Sequence, residues 1–575
     1  MVLSWWSLVA NVVLAATLFL NSFCSSEEAP RYTFTHDAKT APNISYYDYI
    51  IVGGGTAGCP LAATLSQNFS VLLLERGGLP YGNSNITNLA SFGASLQDTS
   101  PTSPAQRFIS EDGVFNSRAR VLGGGSCLNA GFYTRASVDY VMSVGWDGNL
   151  VNQSYQWVEK LVAFEPPMLQ WQSAVRDGLL EVGVTPFNGF TYDHIAGTKV
   201  GGTIFDRDGH RHTAADLLEY ANPNGLTVLL NATVNKILFN TRSKPNPTAH
   251  GVMFTDASGI RHRAYLNNNP KSEIILSAGA LGTPQMLMLS GVGPAAHLRS
   301  HNITVVLDQP NVGQGMRDNP MNAIYVPSPQ DVEISLIEVV GITEYGSYIE
   351  AASGANFGSP AGFQMSFGMF EPQTGKLFSV TPEKDADNFF DPMKPPRNRD
   401  FRGGFILEKV LGPVSTGHLE LRNRNPHDNP SVTFNYFKEQ DDLRRCMDGV
   451  GIISRVIGSR AFSRFTYPNY SFTQLVNMTL GFPVNMRAKH ENASTSIEQF
   501  CKDSVMTIWH YHGGCLVGSV VDHDYRVLGV NALRVVDGST FEYSPGTNPQ
   551  ATVMMLGRYM GVRILNERLN SNGMA

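Results

Sequence analysis

The stretch Tyr49-Ile-Ile-Val-Gly-Gly-Gly-Thr-Ala-Gly58 is a β-branched run that breaks into a glycine turn, and a helix over residues 59–68 with Ala62, Ala63 and Leu65 on it follows. Gly53, Gly55 and Gly58 stand at the spacing G-x-G-x-x-G around Thr56 and Ala57. The first glycine permits the tight turn, the second lets backbone N–H groups approach a pyrophosphate, and the third lets helix and strand pack closely. A second strand, Val71-Leu-Leu-Leu74, ends in Glu75, where a carboxylate accepts the ribose hydroxyls of an adenosine. The unit is βαβ and predicts a bound dinucleotide.

Outward from this turn, composition narrows the class. The 575 residues include 55 Gly and 32 Pro, and 16% are charged. The glycines cluster instead of repeating, which excludes collagen and low complexity, and the length suffices for a large core. A net charge of −6 without any Lys/Arg-rich run excludes nucleic acid as a partner. Residues 1–26 carry no charge and residues 5–20 are mostly apolar, so residues 1–24 read as a signal peptide. No later apolar stretch is long enough for a stable membrane span, and the expectation is a secreted protein. Nine Asn-x-Ser/Thr sites, at Asn43, Asn68, Asn85, Asn152, Asn231, Asn302, Asn469, Asn477 and Asn492, fit that route as glycosylation acceptors. Six cysteines without a CxxC make a metal centre improbable. Cys24 falls in the leader and Cys59, Cys127 and Cys515 lie inside glycine-rich segments. Cys446 and Cys501 are left as the disulfide pair.

Two more strand-to-helix units follow. Ile274-Ile-Leu276 leads to a helix capped by Thr283 with Pro284 at its first position, and Leu533-Arg-Val-Val536 leads to a helix over residues 551–565 behind Asn548-Pro549. Residues 27–46 read as an extended arm. Residues 319–500, with short strand-like pieces such as 431–436 and many Pro and Asn turns, read as an antiparallel substrate domain. The fold class is α/β with α+β: a Rossmann-type domain, discontinuous over 44–318 and 501–570 and open to insertions, interleaved with that second domain.

The motif Ala119-Arg-Val-Leu-Gly-Gly-Gly-Ser-Cys-Leu-Asn-Ala-Gly-Phe-Tyr133 and the motif Gly279-Ala-Leu-Gly-Thr-Pro-Gln-Met-Leu-Met-Leu-Ser-Gly-Val-Gly293 resemble, position by position, the two signatures of the glucose-methanol-choline (GMC) family of flavin oxidoreductases. The resemblance runs from about Tyr47 to Leu565. Through Trp509-His-Tyr-His-Gly-Gly-Cys515 and Val535-Val-Asp-Gly-Ser-Thr540 it is nearest to the plant branch of HOTHEAD proteins and (R)-mandelonitrile lyases. It implies FAD as cofactor. Its family positions are Gly53, Gly55, Thr56, Ala57, Gly58, Glu75 and Arg76, then Val121, Gly125, Ser126, Asn129, Ala130, Gly131 and Phe132. Val234 for the adenine, Trp509, His510, Asp537, Gly538, Asn548, Pro549 and Gln550 complete the set.

The same resemblance places His510 over the flavin as the proton-handling residue, with an ordinary pKa near 6.5, and leaves His512 structural. The second catalytic position is Asn548, where the lyases carry His and many alcohol-oxidising members carry Asn. Asn548 also suits a helix N-cap. The implied reaction is oxidation of a primary alcohol, a long-chain ω-hydroxy fatty acid in the HOTHEAD-like case. Cleavage of a cyanohydrin with a non-redox flavin is the alternative. Electron acceptor, chain length and oligomeric state have no signature in the sequence.

Overall fold

Tyr49–Val52 is a strand buried at every residue, because it lies at the centre of a parallel sheet covered on both faces. The computed structural model describes residues 30, 32–98, 100–242, 245–354, 402–482 and 484–570. The expected leader and residues 355–401 of the expected substrate domain lie outside the described residues. Residues 1–33 form one unit, of which only 30, 32 and 33 are described, and the chain from Phe34 forms the other.

The parallel sheet has six strands in the order Thr35–Asp37, Leu226–Leu230, Val71–Leu74, Tyr49–Val52, Glu273–Leu276, Leu533–Val535. All four strands expected from the sequence sit side by side, from its centre to one edge. After Tyr49–Val52 the chain crosses first to one side, to Val71–Leu74, while Glu273–Leu276 later pairs on the other. That reversal opens a crevice at the carboxyl ends of the strands, where ligands of open α/β sheets bind. The arm expected over residues 27–46 is more ordered than an arm. Thr35–Asp37 joins the edge of this sheet, and Ile44–Tyr47 pairs with Arg261–Leu266 in a four-stranded sheet.

Two helices depart from expectation at their starts. The helix after Glu273–Leu276 begins at Gly279, so Pro284 lies inside it. Its first turn is held by a distant carboxylate: Asp537 Oδ2 accepts from the Gly279 N–H at 2.9 Å and from the Thr283 hydroxyl at 2.5 Å. With that cap in place the helix tolerates a proline that removes one internal hydrogen bond. The last helix runs Gln550–Asn570, one residue earlier and five later than expected.

The second layer is a seven-stranded sheet in the order Met506–Thr507, Pro320–Pro327, Gly403–Val410, Ser347–Ser353, Val339–Ile342, Gly197–Val200, Phe187–Phe190. It is antiparallel except at its last pair. Three of its strands come from outside 319–500: two from residues 187–200 and one from 506–507. Residues 319–500 also hold helices that the strand-like texture hid, chief among them Gln440–Ile457, which packs on Gly403–Val410 and buries Leu443, Val450, Ile453 and Val456. Ser431–Thr433 is a strand, paired with Gly417–Glu420 in a separate small sheet. Cys446 on that long helix is bonded to Cys501 on Ile497–Ser504, tying the two helices together. Cys59, Cys127 and Cys515 are buried free thiols.

Candidate active site

One elongated cavity runs from the carboxyl ends of the parallel strands to the antiparallel sheet. It is lined by Gly53, Gly55, Thr56 and Ala57 from the first turn, by Glu75 and Arg76 past the second strand, and by Val234 at the same end. Val121, Gly125, Ser126 and the 129–132 run line its middle. Trp509, His510, Asp537, Gly538 and residues 548–550 line the rest. Gly58 alone among the expected residues does not face it. A Cβ there would lie 2.0 Å from the Gly53 carbonyl oxygen, so its role is helix-to-strand packing.

Gly55 and Gly125 behave differently. A Cβ on either would meet no protein atom closer than 3.8 Å and would project into the cavity. The protein's own packing does not require glycine at those two positions, but a backbone-cradled ligand does. Glu75 is buried, and desolvation raises its pKa above the usual carboxylate value. Its two oxygens accept from the Gly54 and Gly77 N–H groups at 2.9 and 2.7 Å. Each oxygen keeps a lone pair for a hydroxyl. Asn129 is fixed by Gln550 Oε1 at 2.8 Å and returns its own oxygen to the Gly131 N–H at 3.0 Å, joining the glycine-rich loop to the last helix. These features fit a flavin dinucleotide lying along the cavity.

At the far end stand the two residues expected to handle the substrate. Trp509, just before His510, has a left-handed φ of +59°, a conformation costly for an aromatic residue and persisting only where the surroundings over-determine it. They do: the Trp509 N–H donates to Thr507 Oγ1 at 2.8 Å, and the Asp318 carboxylate accepts from Thr507 and Tyr436 hydroxyls at 2.5 Å each. Burial pushes the Asp318 carboxyl up to about 6. The imidazole of His510 is turned so that Nδ1 faces Asn319 Nδ2 at 3.3 Å and the Tyr348 hydroxyl at 3.4 Å. Nε2 is the ring nitrogen left for the cavity.

The expected ordinary pKa of His510 is overturned. Burial, with Lys409 and His512 nearby, holds it well below 6.5, so the ring is neutral and ready to accept a proton. His512 does not line the cavity, and its Nδ1 donates to the His510 carbonyl at 2.8 Å. Asn548 does not serve as a side-chain cap either. Its Oδ1 is buried and has no hydrogen-bond partner, while the first turn of the last helix is bonded from the Val553 N–H to the Pro549 carbonyl at 2.9 Å. An unsatisfied buried amide oxygen beside a cavity is costly unless a ligand completes it.

The sequence did not single out Tyr348, Asn319 or the cavity-lining Ile337. Tyr348 is one aromatic in a buried strand, with no spacing to mark it. The helix from Gly279 lines the cavity with Ala280, Leu281 and Gln285, as its family signature would have allowed.

Models described as GMC oxidoreductase match residues 47–321 and 413–557. "Protein HOTHEAD" of Arabidopsis thaliana is 53% identical over 559 residues, covering 94% of this chain and 93% of the relative. "(R)-mandelonitrile lyase-like" of the same plant is 48% identical, covering 93% of each chain. "Sinalpyl alcohol oxidase Nec3" of Nesocodon mauritianus is 42% identical, covering 97% of this chain and 95% of the relative.

Proposed function

The chain belongs to the GMC oxidoreductase family of FAD enzymes, and from that premise we propose that it oxidises a primary alcohol at the cavity end formed by His510 and Asn548. The carrying observation is the pairing of a neutral imidazole with an unpartnered, non-titratable amide oxygen on one cavity wall. FAD, when bound, supplies the two-electron oxidant. His510 takes the hydroxyl proton at Nε2, and its low pKa keeps that nitrogen free at neutral pH. Asn548 donates from its amide nitrogen to the same hydroxyl oxygen and fixes its direction. Burial of the surrounding wall, with Ile337, Ile508 and Trp509 on it, excludes water and favours an apolar carbinol. A long-chain ω-hydroxy fatty acid is the first candidate, by likeness to the HOTHEAD relative.

A cyanohydrin lyase shares this frame, but a lyase needs proton transfer on both the hydroxyl and the cyanide side, and Asn548 cannot titrate. Anaerobic mixing of the flavin-loaded protein with ω-hydroxy fatty acids, benzyl alcohols and mandelonitrile separates the two. Bleaching of the oxidised flavin band by an alcohol, lost in His510→Ala, is the expected result. Absence of bleaching together with His510-dependent cyanide release would reverse the assignment.

Secretion into an oxidising compartment is proposed on three supports: the apolar leader, the bonded Cys446–Cys501 pair, and the sequons. Eight of the nine sequon asparagines are exposed. Asn231 is half-buried, and its amide donates to Asp37 at 2.8 Å. Expression in a secreting host should place the protein in the medium with a mass that falls on enzymatic deglycosylation. Retention inside the cell without glycans would refute it.

A further inference from the structure

The groups around His510 leave its ring protons only one arrangement. The Tyr348 hydroxyl lies 2.7 Å from the Thr547 carbonyl oxygen, which can only accept, so its single hydrogen is given there. Toward every other neighbour the Tyr348 oxygen is an acceptor. The Ser544 hydroxyl is committed in the same way, donating to the Gly546 carbonyl at 2.9 Å. Asn319 Nδ2 lies 3.3 Å from the Tyr348 oxygen, 3.4 Å from the Ser544 oxygen and 3.3 Å from His510 Nδ1. Its amide has two hydrogens and faces two oxygens that can do nothing but accept. No hydrogen remains for His510 Nδ1 to receive, so Nδ1 carries its own and donates it to the Tyr348 oxygen at 3.4 Å.

We propose that Tyr348 is a positioning residue for the alcohol oxidation above: it fixes His510 as the Nδ1–H tautomer and leaves the Nε2 lone pair for the substrate hydroxyl. The inference rests on the reading of His510 as the base. Tyr348 is suited to the task because it cannot drift. It sits in the buried strand Ser347–Ser353, fully enclosed, with the Lys409 ammonium 5.5 Å from its ring centroid and ion-paired to Glu350 on the same strand. Through Thr547 it also holds the backbone one residue before Asn548, so a single phenol registers both catalytic side chains against each other. The arrangement does what the carboxylate does for the histidine of a Ser-His-Asp triad, with a neutral acceptor in place of a charged one.

The test is ring nitrogen NMR on flavin-loaded protein carrying labelled histidine, without substrate, with the His510 signals assigned by their loss in His510→Asn. Wild type should show Nδ1 protonated and Nε2 bare. In Tyr348→Phe the acceptor is gone, an Asn319 hydrogen is released toward Nδ1, and the proton moves to Nε2; kcat should fall about a hundredfold with KM little changed. Asn319→Ala removes the competing donor, leaves Tyr348 in place and should keep the wild-type tautomer. An Nε2–H signal in wild type overturns the proposal whatever the variants do, as does an unchanged Nδ1–H signal in folded Tyr348→Phe. A tautomer that inverts while kcat stays constant upholds the positioning and refutes His510 as the base.

Discussion

The two sheets wall one cavity by opposite means. At the carboxyl ends of the parallel sheet the wall is backbone: Gly53 and Gly55 after one strand, Gly279 after another, Gly538 after a third, each at the point where a strand ends. On the side of the antiparallel sheet the wall is side chains, Ile337, Ile508, Trp509 and His510, and His510 is held from behind by Asn319 and by Tyr348, the second residue of its strand. A backbone wall needs residues that lack side chains at a fixed spacing. A side-chain wall needs only that three dimensions bring the right groups together.

The largest effect is expected at the glycines. Gly58→Ala forces a Cβ to within 2.0 Å of the Gly53 carbonyl oxygen, a backbone atom that cannot step aside. The strain should cost about 3 kcal/mol or more, and little soluble flavin-loaded protein should be recovered. Gly55→Ala places its Cβ no nearer than 3.8 Å to any protein atom, so its melting temperature without flavin should stay close to wild type. Flavin affinity should fall at least about tenfold, because a methyl group occupies the space of the cradle. Calorimetry with flavin titration checks both. If Gly55→Ala unfolds as readily as Gly58→Ala, the division between packing glycine and ligand glycine is wrong.

The same contrast explains what was legible in the sequence. Four of the six parallel strands could be read because each is a largely apolar run ahead of a glycine-bearing segment, which is local by construction; Thr35–Asp37 and Leu226–Leu230 have no such segment after them and were not read. His510 and Asn548 were legible because each sits in such a segment. Tyr348 was not, since its partners at Asn319, Ser544, Thr547 and His510 are near in space and far in sequence. Strands 187–190 and 197–200 were missed for a related reason: they complete a sheet whose other members lie more than a hundred residues on. Where local and tertiary capping compete, local rules mislead. Thr283 and Asn548 both have N-cap chemistry, yet Asp537 supplies the cap for the first helix and Asn548 keeps its oxygen for the cavity.

The effect that separates the two histidines of one motif is nil at neutral pH and appears only on acidification. His512 is fully buried, its Nδ1–H is spent on the His510 carbonyl, and its Nε2 has no partner. Burial lowers its pKa to about 4, whereas in the unfolded chain the ordinary value is about 6.5. Above pH ~6.5 the ring is neutral in both states and contributes no slope. Between ~6.5 and about 4 the unfolded chain holds a proton that the fold refuses, so stability falls as pH falls, by up to ~1.4 kcal/mol per pH unit. Below about 4 both states are protonated and the slope ends. Other buried groups titrate in the same window, Asp318 with the opposite sign, so the single contribution is read as a difference between wild type and His512→Gln. The two melting curves should run parallel above pH 6.5 and converge on acidification, wild type losing ground until about pH 4. Activity should show no such limb, because His510 is neutral throughout that upper range and its low pKa places the acid limb of kcat/KM well below 6.5. A kcat/KM limb at 6.5 would mean that the base is an ordinary solvated imidazole, and the side-chain wall around His510 would then be looser than its hydrogen bonds imply.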